Sequence, residues 1–312
     1  MAKAGGATDV DLPIRGRFAP SPTGPLHFGS LVAALASWLH ARHAGGQWLV
    51  RMEDLDPPRE IPAAADSILR SLERLGLWWD GEVIYQSTRS EAYASALDYL
   101  RAQGHAFECG CTRKEILAAG VRGAEGIIYP GTCREGLPPG KQPRSVRVRV
   151  AEDPVRFVDA CQGPLTQNVA QAAGDFLLRR GDGYYAYQLA VVVDDGWQQI
   201  NQIVRGADLL TSTPRQIYLQ QLLGLPRPDY LHIPLAVSSN GPKLSKRLAS
   251  RSVDTWSPAT ALAMALAFLH QPLPDDATRQ APATLLSHAL QVWDSSAVPP
   301  LGEYPAPAAA QR

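Results

Sequence analysis

The 312-residue chain has no apolar run near the ~20 residues that span a bilayer. Its N-terminus lacks the basic-then-apolar pattern of a secretory signal, so the cytoplasm is the expected compartment and no membrane partner is expected. Cysteine is sparse: four in so long a chain do not make a disulfide framework. Thirty basic residues cancel thirty acidic ones, so the protein exerts no global attraction on nucleic acid, and RNA contact must come from local patches. Lysine is scarce, with five in the chain. No G-x-x-x-x-G-K-[ST] pattern occurs, which excludes a Walker A loop. His40, His43, His105, His232, His270 and His288 have neither metal nor triad spacing; they read as structural or surface residues, and no Ser-His-Asp hydrolase is indicated. There is no internal repeat.

What is present reads as an ordinary globule, 45% hydrophobic and 19% charged, long enough for one large or two smaller domains. Residues 1–13 read as a flexible leader. Leu12 to Phe18 suits a strand entry, and Leu31, Leu35, Trp38 and Leu39 recur at helical spacing. The intervening run from Ala19 to His27 carries three prolines and a glycine, which forbid a regular element. A strand, a stiff loop and a helix in that order aim free backbone N–H groups at a guest above the strand end, and phosphate is the usual guest. His27 and Gly29 fall at the helix start, one able to donate to a phosphate oxygen, the other leaving room for a flat base. Gln47 to Met52 reads as a second strand, and Glu53, Asp54 and Asp56 follow it where open α/β sheets hold ligands. Ile61 to Leu75 and Arg89 to Gln103 read as helices stopped by Gly76 and Gly104. This alternation predicts an α/β fold with a parallel sheet.

From Cys109 the style changes to cysteine, glycine and proline, as in a small inserted subdomain. Cys109-Gly-Cys111 and Cys133 put three thiols within 25 residues, which favours tetrahedral zinc; the fourth ligand stays open, since Cys161 is too far along. Thr112 to Glu115 is a capping box, so a helix starts right after the first two thiols. Ser145 to Val150 alternates as a half-exposed strand does. The α/β pattern resumes near Tyr184. Ala190 to Asp195 fits a strand or a helix, Thr213-Pro214 starts a helix running to Gly224, and Tyr230 to Val237 reads as a last strand. Then Lys243-Leu-Ser-Lys246-Arg247, after Asn240-Gly241-Pro242, gathers two of the five lysines in one loop, as a mobile cationic clamp for phosphates would. Residues 257–296 carry mainly helical patterning, and the proline- and alanine-rich stretch 299–310 reads as disordered.

Together, His27-Phe-Gly-Ser30 and Lys243-Leu-Ser-Lys-Arg247 resemble the paired "HIGH" and "KMSKS" signatures of class I aminoacyl-tRNA synthetases. Arg17-Phe-Ala-Pro-Ser-Pro-Thr-Gly24 is similar to the glutamyl branch in particular. The likeness runs from about Ile14 to Arg251, including Val50 to Asp56, Arg205 to Asp208, Ser212 to Gln216 and His232 to Leu235. It departs at Ser30, which stands for the second histidine and removes one phosphate donor, and mildly at Leu244 and Arg247.

The resemblance implies a Rossmann-like catalytic domain in two halves, 14–107 and 184–237, around a zinc-binding insert, 108–183. A lysine loop and a short, mainly helical C-terminal region with a disordered tail complete it, 238–312. It implies catalytic roles for His27, Lys243 and Lys246, with His27, Gly29 and Lys246 holding ATP, a substrate that comes with Mg2+. Glutamate would meet Arg17, Phe18, Ala19, Pro20, Ser21, Glu53, Tyr187 and Arg205; the two guanidiniums suit its carboxylates, and Glu53 its ammonium. It further implies Tyr129 as fourth ligand beside Cys109, Cys111 and Cys133, a structural zinc site with no open position. Only 65 residues follow Arg247, too few for an anticodon-binding domain, so the chain looks like the truncated glutamyl-Q tRNA(Asp) synthetases. That family membership would mean tRNA-independent activation of L-glutamate, then transfer to queuosine in the anticodon loop of tRNA(Asp), by a monomer. The alternatives are a truncated glutamyl-tRNA synthetase charging an acceptor end, and a non-catalytic nucleotide- or RNA-binding module. Arg17, His27, Glu53 and Lys246 together argue against the second.

Overall fold

A strand, β1 (Arg15–Phe18), runs through the proline loop into a long helix, α1 (Phe28–His43). The computed structural model describes residues 13–237, 252–307 and 310. Gly16 lets α1 lie close on the sheet, because a Cβ there would stand 3.0 Å from that of Ala41. Next come β2 (Gln47–Met52), α2 (Ala64–Leu75), β3 (Ile84–Tyr85) and α3 (Ser90–Ala102). The insert region follows with β4 (Ala106–Cys109), α4 (Arg113–Ala119), β5 (Val121–Gly123), β6 (Gly126–Ile128) and β7 (Ser145–Val148). After these lie β8 (Val155–Asp159), β9 (Gly163–Gln167), α5 (Val169–Ala172) and β10 (Leu177–Arg179). The chain returns through α6 (Tyr187–Trp197), β11 (Gln202–Gly206), α7 (Thr213–Leu223), β12 (Asp229–Ile233) and β13 (Leu235–Val237). Beyond residue 251 are α8 (Pro258–Phe268), α9 (Pro282–Val292) and β14 (Glu303–Pro305).

Seven strands form the main sheet in the order β3-β2-β1-β11-β12-β8-β9, parallel except for β9. One apolar core joins α1 and α2 to α8 and α9; a second joins α3, α6 and α7 on strands of both sheets. The chain winds outward from β1 to β3 on one side and resumes with β11 and β12 on the other. The gap between the carboxyl ends of β1 and β11 is therefore a topological switch point, where such sheets bind ligands. No helix among the described residues is long and apolar enough to cross a membrane.

The structure departs from several expectations. Ala190 to Asp195 is helical, within α6. A helix turns both acids to buried partners: Asp194 accepts from Arg89, Tyr93 and Gln86, and Asp195 faces Arg17 and Arg51. The strand from Ser145 ends at Val148 and is buried on both faces: Val146 and Val148 lie in the second core, and Arg147 on the other face stacks on Tyr129. The segment 108–183 does not stay together. Part of it builds a separate sheet, β10-β7-β4, while β8 and β9 join the main sheet beside β12. Pro234 divides the run from Tyr230 to Val237 into β12 and β13, and β13 pairs with β14. The tail expected to be disordered is thus pinned: Glu303–Pro305 is a strand, and Ala306 is buried.

Asp194 is fully buried and ties α6 to the start of α3. Removing one member of such a buried charge pair costs about 3–5 kcal/mol. Asp194→Ala should lose stability of that order in urea denaturation.

Candidate active site

At the switch point lies a cavity of about 800 Å³. Arg17, Phe18, Ala19, Pro20, Ser21, His27, Gly29, Glu53, Tyr187 and Arg205 all line it. These residues come from four places in the chain, brought together because β1, β2 and β11 end side by side. Lys243 and Lys246 lie outside the described residues. The chain leaves toward them from Val237, itself in the cavity wall. It returns at Ser252, which is bridged to His27, and Val253 N–H donates to the Leu26 carbonyl at 2.9 Å.

His27 caps α1. Its Nδ1 accepts from Ser30 N–H at 3.2 Å, which leaves the ring proton on Nε2, 2.9 Å from Ser30 Oγ. Burial lowers the His27 pKa, with Asp208 opposing, so the ring is a neutral donor that can turn from a hydroxyl to a phosphate oxygen. Ser30, in place of a second histidine, thus orients the first. A methyl group at Gly29 would meet only the His27 ring, at an ordinary 3.4 Å. The protein's own packing does not require glycine there; the open space in front of it belongs to the cavity.

The other end of the cavity rests on buried charge. Arg17 Nε lies 3.2 Å from Asp195 Oδ1, and Arg51 Nη2 lies 2.8 Å from the same oxygen. Arg51 Nη2 also reaches Glu53 Oε1 at 3.3 Å, and its Nη1 donates to Gln198 at 2.6 Å. Two guanidiniums and two carboxylates balance. Burial raises the Glu53 pKa, with Arg51 and Arg17 opposing; for Asp195 the same arginines outweigh burial and lower it. Arg205 is held differently. Its Nε donates to His232 Nε2 at 3.0 Å and its Nη2 to Thr213 Oγ1 at 2.8 Å. His232 Nδ1 is 2.6 Å from Asp159, which fixes the tautomer with the lone pair toward Arg205. Burial, reinforced by Arg205 and opposed by Asp159, brings His232 down to about 4, so it stays neutral and able to accept. Arg205 Nη1 is buried with no protein acceptor among the described residues.

Sequence reading missed Arg51, Asp195, Gln198, Asp159, Thr213 and His232. Arg51 left a signal, a charge inside the apolar strand Trp48 to Met52, which needs a buried partner. Thr213 and His232 fall within stretches of the family likeness, but the likeness gives them no role; Asp159, Asp195 and Gln198 carry no local signal.

The thiols of Cys109, Cys111 and Cys133 lie within 4.8 Å of one another, with Cys111 and Cys133 at 3.6 Å. Tyr129 Oη stands 3.4 Å from Cys109 Sγ and 3.7 Å from Cys111 Sγ, and accepts from Cys133 N–H at 2.7 Å. Zinc–sulfur bonds of ~2.3 Å put tetrahedral sulfurs about 3.8 Å apart, so this donor set fits that ion. Burial pushes the Cys109 thiol up, but Tyr129, the Cys111 backbone and Arg147 together bring it to about 7. Cys161 is elsewhere, its thiol 3.4 Å from the Pro299 carbonyl.

Residues 13–262 match the family described as tRNA synthetases class I (E and Q), catalytic domain. The chain is 54% identical to the glutamyl-Q tRNA(Asp) synthetase of Dechloromonas aromatica, over 93% of this chain and 97% of that protein. It is also 54% identical to that of Thiobacillus denitrificans, over 94% and 98%. Among solved structures, the glutamate-tRNA synthetase of Elizabethkingia anophelis shares the fold with a TM-score of 0.80 at 25% identity, covering 96% of this chain and 69% of that one.

Only the ionised Glu53 carboxylate can accept an ammonium, and burial has raised its pKa. Lowering the pH should therefore raise the KM of an amino-acid substrate at pH values above the ordinary glutamate range. Glu53→Gln should show a high KM throughout and lose that acid limb, as measured in steady-state kinetics.

Proposed function

Because the chain belongs to the glutamyl-Q tRNA(Asp) synthetases, ligases built on the class I tRNA synthetase catalytic domain, we propose that it activates L-glutamate with ATP without needing tRNA. It then passes the glutamyl group to queuosine at the wobble position of tRNA(Asp). The observation that carries the first half is Arg205 Nη1, a buried cationic donor without a partner in the wall it shares with Arg17 and Glu53. A dicarboxylic amino acid answers that wall: its carboxylates take up donors of Arg205 and Arg17, and its ammonium takes Glu53.

In activation, an oxygen of the glutamate α-carboxylate bonds to the α-phosphorus of ATP, and the bond to the β-phosphate oxygen breaks. Glutamyl-adenylate and pyrophosphate result. The protein contributes alignment and charge neutralisation, as phosphoryl-transfer sites do. His27 Nε2–H gives one phosphate donor and Gly29 leaves room for the adenine. Lys246, with Lys243 assisting, supplies cationic charge to the leaving phosphates, and Mg2+ accompanies the ATP. The anchoring of both flanks of 238–251 at this cavity supports the assignment. In transfer, a hydroxyl oxygen of the acceptor bonds to the glutamyl carbonyl carbon, the anhydride C–O bond breaks, and AMP leaves with the electron pair while its phosphate takes the proton.

Cys109, Cys111, Tyr129 and Cys133 would hold zinc. Four protein ligands close its coordination, so its contribution is to lock the knuckle. We assign the reaction to the cytoplasm, where its RNA partner is, and to a monomer, since the described residues that line the cavity all come from one chain.

The purified protein alone should catalyse glutamate-dependent ATP–pyrophosphate exchange. Lys246→Ala should slow it by roughly 10²–10³-fold, the usual loss for one transition-state donor. A requirement for tRNA, or exchange unaffected by the substitution, would contradict this reading. For the knuckle, metal analysis should find one zinc per chain, lost in Cys111→Ser together with thermal stability.

A further inference from the structure

A second cavity, of about 750 Å³, lies between the cysteine knuckle and the catalytic core. Its size is within the ~300–1,000 Å³ range of small-molecule sites. Tyr187 lines both cavities, so the two share a wall.

Part of the polar lining of the second cavity lacks hydrogen-bond partners. The Glu125 side chain is only 7% exposed. Its Oε2 is ion-paired with Arg215 Nη2 at 2.5 Å, while its Oε1 accepts no hydrogen bond among the described residues. Arg147 and Arg215 each keep a buried Nε without an acceptor. Arg147 cannot easily swing to find one, because its guanidinium is stacked 4.1 Å from the Tyr129 ring centroid. Arg147 also donates to the Asp175 carbonyl and Arg215 to Ser212, so both guanidiniums have partners, but buried polar atoms left without a hydrogen bond are costly and native proteins seldom gather several in one wall. A carboxylate and two guanidinium N–H groups in one wall answer a ligand that carries both positive donors and acceptors. Arg113 and Arg144, on the same cavity, are exposed, as phosphate-contacting residues need to be.

Resting on the reading that glutamate goes to a nucleobase, we infer that this cavity receives the acceptor base of the RNA, a modified purine whose side arm bears a cationic amine and hydroxyls. Glu125 takes the ammonium, and the Nε–H groups of Arg147 and Arg215 donate to acceptors on the ring. Arg113 and Arg144 meet the flanking phosphates. The arm's hydroxyl then reaches past Tyr187 to the glutamyl carbonyl carbon, and the transfer proceeds with the bond changes given above. An unmodified 3′-terminal adenosine brings no cation to Glu125, so the buried carboxylate discriminates against it.

The test uses the full-length protein, purified tRNA(Asp) bearing the modified base, and two variants. Glu125→Gln keeps the shape and removes the charge; Ile127→Trp narrows the cavity from an exposed position on its lining. Both should leave tRNA-free exchange within about twofold of wild type. Both should raise the KM for tRNA in the transfer step by about tenfold, the worth of one charge-assisted hydrogen bond. Transfer unchanged in both variants, or exchange and transfer falling together, overturns the assignment of this cavity while leaving the proposed activity standing. If wild-type protein attaches glutamate to the 3′ terminus when the labelled fragment is mapped, the reading fails and this inference falls with it.

Discussion

The site depends on one carboxylate shared by two guanidiniums. Asp195, from α6, sits against Arg17 of β1 and Arg51 of β2, and all three are almost completely buried. Two arginines on adjacent parallel strands would repel each other in a low-dielectric interior; a carboxylate between them turns that repulsion into attraction. Glu53, two residues beyond Arg51, completes a cluster of zero net charge. Arg17 therefore reaches the cavity already oriented, and Arg51 and Arg17 offset part of the burial that raises the Glu53 pKa. Arg205 is fixed separately, through neutral His232 and the Asp159 behind it, so the two guanidiniums of the cavity are pre-set by different neighbours. Preorganised charge of this kind does not have to rearrange when substrate arrives.

Sheet topology brings the cluster and His27 to the same cavity. The proline loop between β1 and α1 holds His27 over the same switch point, because Pro20, Pro22 and Pro25 leave that loop little freedom. Cys111 and the residues just after it, with Tyr187, line a second cavity. One chain thus offers two compartments with a shared wall between them, an arrangement that suits the proposed pair of reactants, an acidic amino acid and an RNA base.

Much of this was legible in the sequence. β2 begins and ends where its apolar pattern does, and the capping box at Thr112 forms as its spacing predicts. The cavity residues from Arg17 to Ser21, with His27, Gly29, Glu53, Tyr187 and Arg205, were identifiable by their likeness to known motifs, and they line one cavity. What was not legible depends on tertiary partners. Ala190 to Asp195 has no periodicity that separates helix from strand; the outcome turns on arginines more than a hundred residues earlier in sequence. The tail around Tyr304 has the composition of a disordered segment, yet β13 presents an edge that it pairs with. His232 looked like a structural histidine because its partners, Asp159 and Arg205, are both distant in the chain.

Calorimetric titration of L-glutamate and L-glutamine into the protein without tRNA tests most directly whether paired, pre-set guanidiniums select a dicarboxylic amino acid. Glutamate should bind, glutamine should bind at least about tenfold more weakly, and Asp195→Asn should weaken glutamate most. Equal affinity for the two amino acids, or glutamate binding unchanged in Asp195→Asn, would contradict it.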